Sequence, residues 1–341
     1  MRPIVDEHPD LPPVLTRNLE AIDMALRAYI GDDSTELDAA ARYALGWEDS
    51  GGVPSTPGAK RIRPALCLFA AECCGNDVTV ALPGAVALEL IHNFSLVHDD
   101  IQDRDQERHS RPTLWVRLGE AQAINAGDFL FTSAVRSLAT ASAIPDAQRT
   151  RALDSLTSAT TRMIRGQWMD LRFETAPPRD ENEYFSMVAG KTGALLGASV
   201  AVGAILGGAS DEDAATFRRW GEALGLAFQA HDDILGAWGN SAVTGKSNTS
   251  DIARKKRSLP IIIAMQDEAA RQVIEREYAD DEPDVSAVMA ALESSGARAR
   301  TEAIAAEYAE RARELVATVP ASPGHRDELA EVTHYVVNRT R

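Results

Sequence analysis

Cysteine is scarce. The 341 residues hold three, Cys67, Cys73 and Cys74, at spacings that fit neither a disulfide framework nor a zinc site, so a reducing, cytoplasmic setting is expected. Strand-like alternation of β-branched residues is equally rare. The apolar 45% is rich in Ala and Leu, which predicts an all-α protein. No uninterrupted apolar run reaches the roughly eighteen residues of a membrane span, and the first residues lack a basic start leading into an apolar signal core. A soluble chain with no stable membrane span is the expectation. Positive charge is in deficit: the net charge of −16 and pI near 4.9 argue against nucleic acid or an anionic membrane as a general partner. Local Lys and Arg clusters therefore stand out as anion sites. A long polar linker is also missing, so residues 14–341 are expected to form one helical domain behind an irregular arm, residues 1–13, that carries four prolines.

What the chain does have is an acidic pentad, Asp99-Asp100-Ile101-Gln102-Asp103, closing the apolar run from Ala85 to Val97. The quartet His98-Asp99-Asp100-Ile101 recurs as His231-Asp232-Asp233-Ile234, again ending an apolar helical segment. Residues i and i+4 of a helix share a face and i+3 lies close by, so Asp99, Asp100 and Asp103 can converge. Convergent carboxylates repel one another unless a cation joins them. An all-oxygen set suits Mg2+, which keeps several waters and takes further ligands from substrate phosphates. A lone acidic triplet is usually a solvated helix end. The repetition and the apolar lead-in favour a phosphate-bearing substrate held through metal between two facing acidic helices.

Apolar spacing predicts helices over Leu15–Ile30, from a Thr35/Asp38 capping box to about Gly46, and from Pro83 into the pentad. Further helices are predicted over Ala121–Ala143, Asp146–Glu174, Glu181–Leu206 and Asp211–Leu235, then a Gly-, Asn- and Ser-rich loop, Gly236–Ser250. Shorter amphipathic helices come after it, one with Asp284 as N-cap and Gly296 as its stop. Lys60-Arg61-Ile62-Arg63-Pro64 sets three cations at a helix start, where forked guanidinium groups and free N–H groups can bind an anion. A solvated helix end is the plainer reading of that stretch taken alone. Arg108-His109-Ser110-Arg111-Pro112-Thr113 forms a basic turn just after the acids. Acid and base clusters at helix ends suit two phosphorylated ligands, one bound through metal and one directly.

Taken in order, these residues resemble the trans-isoprenyl diphosphate synthases, or polyprenyl synthetases, from about Gly58 to Pro260. The resemblance is carried by Gly58-Ala59-Lys60-Arg61-Ile62-Arg63-Pro64, by His92, by the pentad with Arg108 and Arg111-Pro112-Thr113, and by Gly166-Gln167 with Asp170. It continues through Lys191-Thr192, Phe228-Gln229 with Asp232-Asp233, Gly245-Lys246, and Lys256 before Leu259-Pro260. It implies an isoprenoid-synthase helical bundle around a central apolar cavity, a homodimer, and head-to-tail condensation of isopentenyl diphosphate with an allylic diphosphate. Under the resemblance Asp99, Asp103 and Asp232 hold three Mg2+ ions, with Asp100 and Asp233 in support. Arg108, Lys191, Lys246 and Lys256 bind the allylic diphosphate; Lys60, Arg63 and His92 bind isopentenyl diphosphate; Thr192 and Gln229 steady the carbocation.

The chain departs from the family pattern at His109, where a second arginine normally contacts isopentenyl diphosphate, and at Gly236, where the second motif normally ends in aspartate. Phe94, five places before the pentad, and Ser95 at the fourth place resemble enzymes that stop at geranylgeranyl diphosphate, with farnesyl diphosphate as the alternative. Three other readings remain. A class I terpene cyclase would carry an Asn/Asp, Ser, Glu metal triad, which the stretch between Gln229 and Ser250 does not supply. A non-catalytic partner of an active synthase would fit the reduced second motif and His109. A His-Asp phosphohydrolase would need more histidine ligands.

Overall fold

In a computed structural model, residues 11–31, 35–48, 60–239 and 250–338 are described. Among them the chain is helical apart from one two-stranded hairpin, β1 (Glu107–Arg108) paired antiparallel with β2 (Arg111–Pro112). The contacts separate two compact units. One comprises residues 1–160, 198–218 and 320–328; the other comprises 161–197, 219–319 and 329–341.

In the first unit, the helix expected over Leu15–Ile30 is α1 (Pro13–Thr16) followed by α2 (Leu19–Ile30), parted where Asn18 leaves helical dihedrals. The predicted capping box opens α3 (Glu36–Ala44), where the Thr35 side chain accepts from the Asp38 N–H. α4 (Ile62–Cys73) is next, then α5 (Leu82–Gln102), whose Pro83 sits in the first turn, where a missing N–H costs nothing. α5 is buried along most of its length and packs on α4 and on α7 (Glu120–Ala139), which comes after the short α6 (Leu114–Leu118). The acidic pentad thus lies at the exit of a core helix, with Asp103 as its C-cap.

α8 (Asp146–Thr175) leads to α9 (Glu181–Val188), capped by Asp180 accepting from the Glu183 N–H. Helical winding continues through residue 206 as expected, but Ala189–Gly193 forms a π-turn before α10 (Ala194–Leu206). α11 (Asp211–Trp238) runs three residues past its expected end at Leu235, so Gly236 lies inside a helix rather than opening the loop. Residues 240–249 of that predicted loop, including Gly245 and Lys246, lie outside the described residues, as do Gly58 and Ala59. α12 (Ser250–Ala253), α13 (Leu259–Ala264), α14 (Glu268–Ala279), α15 (Val285–Ser294), α16 (Ala297–Val316) and α17 (Pro323–Asn338) complete the chain. Asp284 caps α15 as predicted, accepting from Ser286 and Ala287, and Gly296 lies just past its end with a left-handed φ of 72°.

The second unit centres on Phe173, Tyr184, Met187, Val188, Leu259 and Ile262. Two stretches, Val78–Gln102 and Glu181–Leu206, are long and apolar enough to cross a membrane, with 67% and 83% of the apolar window buried inside the chain. Ionisable residues such as Glu89 and Lys191 interrupt both, which is why no unbroken apolar run is visible in the sequence.

Candidate active site

The basic knot before α4 is built around Arg61. Its backbone is left-handed, φ 46°, a conformation that costs a residue with a Cβ about 1–2 kcal/mol. The side chain explains why it holds: Arg61 turns inward, donating to Glu89 Oε1 across 2.5 Å and to the Leu45 carbonyl across 2.9 Å. Asp23 lies 4.0 Å away and itself accepts from the Trp47 indole and from Arg27. With Arg61 pinned, its neighbours Lys60 and Arg63 are left only partly buried. Arg63 Nε is buried without a hydrogen-bond partner, and burial pulls its guanidinium below the usual arginine range against the opposing pull of Glu89.

Three residues after Glu89 on α5 comes His92. Burial, and after it the positive charge of Arg63, Arg108, Arg61 and His109, hold this imidazole well below its usual value. His92 is therefore a neutral hydrogen-bonding group among cations. Phe94 is buried, edge-on to His98 at 4.9 Å between centroids and tilted against Phe131 of α7 at 5.4 Å.

The pentad does not act as a convergent triplet. Asp100 is 5% exposed and takes the Arg108 guanidinium, with Nε and Nη2 both 2.7 Å from Oδ1. Asp99 and Asp103, one turn apart on one face, keep partly exposed carboxylates, and Arg108 Nη2 is 3.8 Å from Asp99. The chain turns back between Asp100 and Arg108 at Arg104, left-handed at φ 58°, where the Asp105 N–H donates to the Asp100 carbonyl; β1 and β2 then reverse through His109 and Ser110, both left-handed at φ 51° and 58°, as a two-residue type I′ hairpin demands. His109 is exposed at that tip. Arg111, across the hairpin, stacks on Tyr43 at 4.1 Å and donates to the Glu48 carbonyl, so its role is to anchor the turn.

In the second unit, Lys191 and Thr192 lie in the π-turn. Two close helix approaches hold that turn. A Cβ on Gly166 would meet the Lys191 backbone nitrogen at 2.2 Å, and one on Gly225 would meet Gly193 Cα at 2.8 Å. The Lys191 ammonium pairs with Asp170 at 2.5 Å. Thr192 Oγ1 donates to Gln229 Oε1 at 3.2 Å, and Gln229 Nε2 donates to Asp233 Oδ1 at 2.9 Å. Asp233 is 4% exposed and also accepts from the Leu259 N–H at 2.8 Å and from the Tyr184 hydroxyl. Its neighbour Asp232 is exposed, as is Lys256. The second carboxylate of each Asp-Asp pair is thus buried and engaged with protein, while the first reaches solvent.

Among the described residues, no three His, Cys, Asp or Glu side chains gather closely enough to hold a metal by themselves. The available donors are carboxylate oxygens in ones and twos. That fits Mg2+, which completes its shell with water and substrate phosphate, better than an ion held in an all-protein cage.

A family model described as polyprenyl synthetase matches residues 53–295. This chain belongs to the polyprenyl synthetase family. The farnesyl diphosphate synthase of Mycobacterium tuberculosis is 37% identical over 338 residues, spanning 96% of this chain and 93% of its own length. The geranylgeranyl diphosphate synthase of Methanosarcina mazei is 36% identical over 304 residues, spanning 89% and 90%. A crystal structure of polyprenyl synthetase from Streptomyces coelicolor superposes with a TM-score of 0.88 at 37% identity, covering 95% of this chain and 98% of that one. The fold is that of the polyprenyl synthetases, all-α as expected.

Within this family member the motifs divide into two inward-turned supports and their outward-facing neighbours. Glu89, Tyr184 and the π-turn do not emerge from the sequence as site elements, and Arg61, read there as one of three cations able to bind an anion, instead turns inward to Glu89 and the Leu45 carbonyl. Glu89 leaves a trace as the one acid inside the run Ala85 to Val97, and the glycines flanking Lys191-Thr192 hint at close packing. Tyr184 leaves none, since an aromatic at helical spacing reads as core.

Proposed function

We propose that this chain joins isopentenyl diphosphate head-to-tail to an allylic diphosphate, with geranylgeranyl diphosphate as the end product and farnesyl diphosphate as the alternative stop. Membership of the polyprenyl synthetase family makes it a trans-prenyltransferase. The observation that carries the substrate assignment is Arg63: a buried guanidinium nitrogen without a hydrogen-bond partner, close enough to His92 for its charge to act on that imidazole. A diphosphate oxygen would supply the missing acceptor. Lys60, Arg63, His92 and His109 form the isopentenyl diphosphate site in this reading. Arg108, Lys191, Lys246 and Lys256 take the allylic diphosphate.

The allylic carbon–oxygen bond breaks first, and diphosphate leaves with the electron pair. The alkene of isopentenyl diphosphate attacks the resulting cation, forming the new carbon–carbon bond, and a proton passes to the departed diphosphate. Bound Mg2+, three ions held by Asp99, Asp103 and Asp232, would neutralise charge on the leaving group. Asp100 keeps Arg108 aimed at that group. Thr192 and Gln229 present oxygen atoms to the cation, and no protein nucleophile is required.

Exposed apolar side chains, Val116, Leu118 and Ile124 in one unit and Ile164 and Trp168 in the other, support a homodimer, which light scattering would test. The three free thiols are compatible with a cytoplasmic setting. The deciding assay supplies labelled isopentenyl diphosphate with dimethylallyl, geranyl or farnesyl diphosphate and Mg2+, and sizes the products by chromatography. Labelled prenyl diphosphate is expected, and its loss on chelation. No product from any primer would overturn the reading, and hydrocarbon released from geranylgeranyl diphosphate alone would identify a terpene cyclase instead.

A further inference from the structure

We propose that Tyr184 is a positioning residue for prenyl transfer, acting through Asp233 on the orientation of the Gln229 amide. The inference rests on the prenyltransfer reading above and extends it to a residue outside the acidic and basic motifs. Tyr184 is on α9, 2% exposed, in the core of its unit. Its hydroxyl donates to Asp233 Oδ2, the oxygen that also receives the Leu259 N–H at 2.8 Å. Asp233 Oδ1 receives Gln229 Nε2 at 2.9 Å, and Gln229 Oε1 receives Thr192 Oγ1 at 3.2 Å. The order Thr192, Gln229, Asp233, Tyr184 is a single chain of hydrogen bonds.

An amide can present either its oxygen or its NH2 group in a given direction. An acceptor-only carboxylate at Asp233 demands the NH2 group, so the Gln229 oxygen must face the other way, towards Thr192. Hydrogen bonds in series polarise one another, so negative charge on Asp233 raises the electron density on that oxygen. The arrangement delivers the field of a carboxylate to a reacting cation while the carboxylate itself stays buried. A carboxylate in direct reach could capture the cation as an ester; an amide oxygen stabilises it with far less nucleophilicity.

The contact with Leu259 adds a second function. α13 opens at Leu259, and its N-cap residue Ser258 makes no side-chain cap. Asp233 satisfies that N–H from a different helix, so the same carboxylate anchors the end of the basic run Arg254 to Arg257, which contains Lys256. Tyr184 holds Asp233 Oδ2 in the position that serves both partners.

The test uses the full chain and compares wild type, Tyr184→Phe, Gln229→Ala and the double variant. Single-turnover rates are normalised to folded protein by active-site titration, alongside KM for both diphosphates. Tyr184→Phe keeps the ring and removes one donor. It should slow the bond-making step about tenfold with KM unchanged for isopentenyl diphosphate. Added to Gln229→Ala it should slow the reaction no further, because its effect passes through the missing amide. Should Tyr184→Phe fold poorly, Asp233→Asn at saturating Mg2+ tests the same chain of hydrogen bonds: an NH2 group facing Gln229 reverses the amide, the rate should fall as in Gln229→Ala, and an unchanged rate would overturn the proposal. Multiplying effects in the double variant, or an unchanged rate in Tyr184→Phe, would overturn the proposal while leaving prenyl transfer intact. A wild-type protein without prenyltransferase activity would remove both.

Discussion

Arg61 and Glu89 form a buried ion pair: Nη1 of the first donates to Oε1 of the second across 2.5 Å, with each side chain 4% exposed. A buried pair of this kind contributes little over a well-packed apolar substitute, but removing one member strands the other charge at a cost of about 3–5 kcal/mol. Arg61→Met should therefore lower stability by about that amount in urea unfolding. Glu89→Gln, which keeps an acceptor for Arg61 and for the Asn93 amide, should cost less. Equal losses in the two variants would show that the charge of Glu89 matters more than its hydrogen bonding.

The two acids of the first pair should separate by phenotype. Asp99→Asn is expected to reduce kcat by on the order of 10²–10³, and added Mg2+ should rescue it only partly. Asp100→Asn acts through Arg108, so its main effect should be a raised KM for the allylic diphosphate. Isothermal titration with a non-ionising allylic analogue distinguishes the two.

His92 gives a pH signature. Burial and the neighbouring guanidinium groups of Arg63 and Arg108 hold it well below its ordinary value of about 6.5. Between those two values the unfolded chain binds a proton that the folded chain does not, so stability falls as pH drops below about 6.5 and the loss ends at the folded-state value. Thermal unfolding of wild type should show this decline, and His92→Gln should flatten it. A slope that survives the substitution belongs to another group.

Gly166 has no room for a side chain, since a Cβ there would sit 2.2 Å from the Lys191 backbone nitrogen. Gly166→Ala should lose at least about 1–3 kcal/mol of stability. It should also weaken turnover by displacing Lys191 from Asp170. Gly324, with nothing near its Cβ position, provides the control substitution.

Phe94 meets Phe131 and His98 in one aromatic cluster. If this cluster limits chain growth, Phe94→Ala yields longer prenyl diphosphates by reversed-phase chromatography. An unaltered product distribution would assign Phe94 to core packing alone.

The helical class, the caps at Thr35 and Asp284 and the course of α5 are legible in the sequence because each depends on residues within a few places of one another. The ligating roles within the acidic motifs are only half legible. Helical spacing places Asp99, Asp100 and Asp103 on adjoining faces, yet it cannot reveal that Asp100 turns to Arg108, because that contact depends on the turn between them, which has a left-handed dihedral at Arg104. Arg61 is invisible as a support for the same kind of reason: its partner Glu89 is 28 positions away. Gly236 makes α11 look shorter than it is because glycine is a helix breaker by propensity, a weak preference that packing overrides.

The π-turn at Ala189–Gly193 sets the phase of the helix beyond it. A helix advances about 100° per residue, so one additional residue accommodated within a turn rotates everything downstream relative to everything upstream. α9 can consequently aim Tyr184 into its own core while α10, on the same length of chain, keeps an independent apolar orientation. Lys191 and Thr192 occupy the interval where the two phases are reconciled, and their directions are determined by neither helix alone.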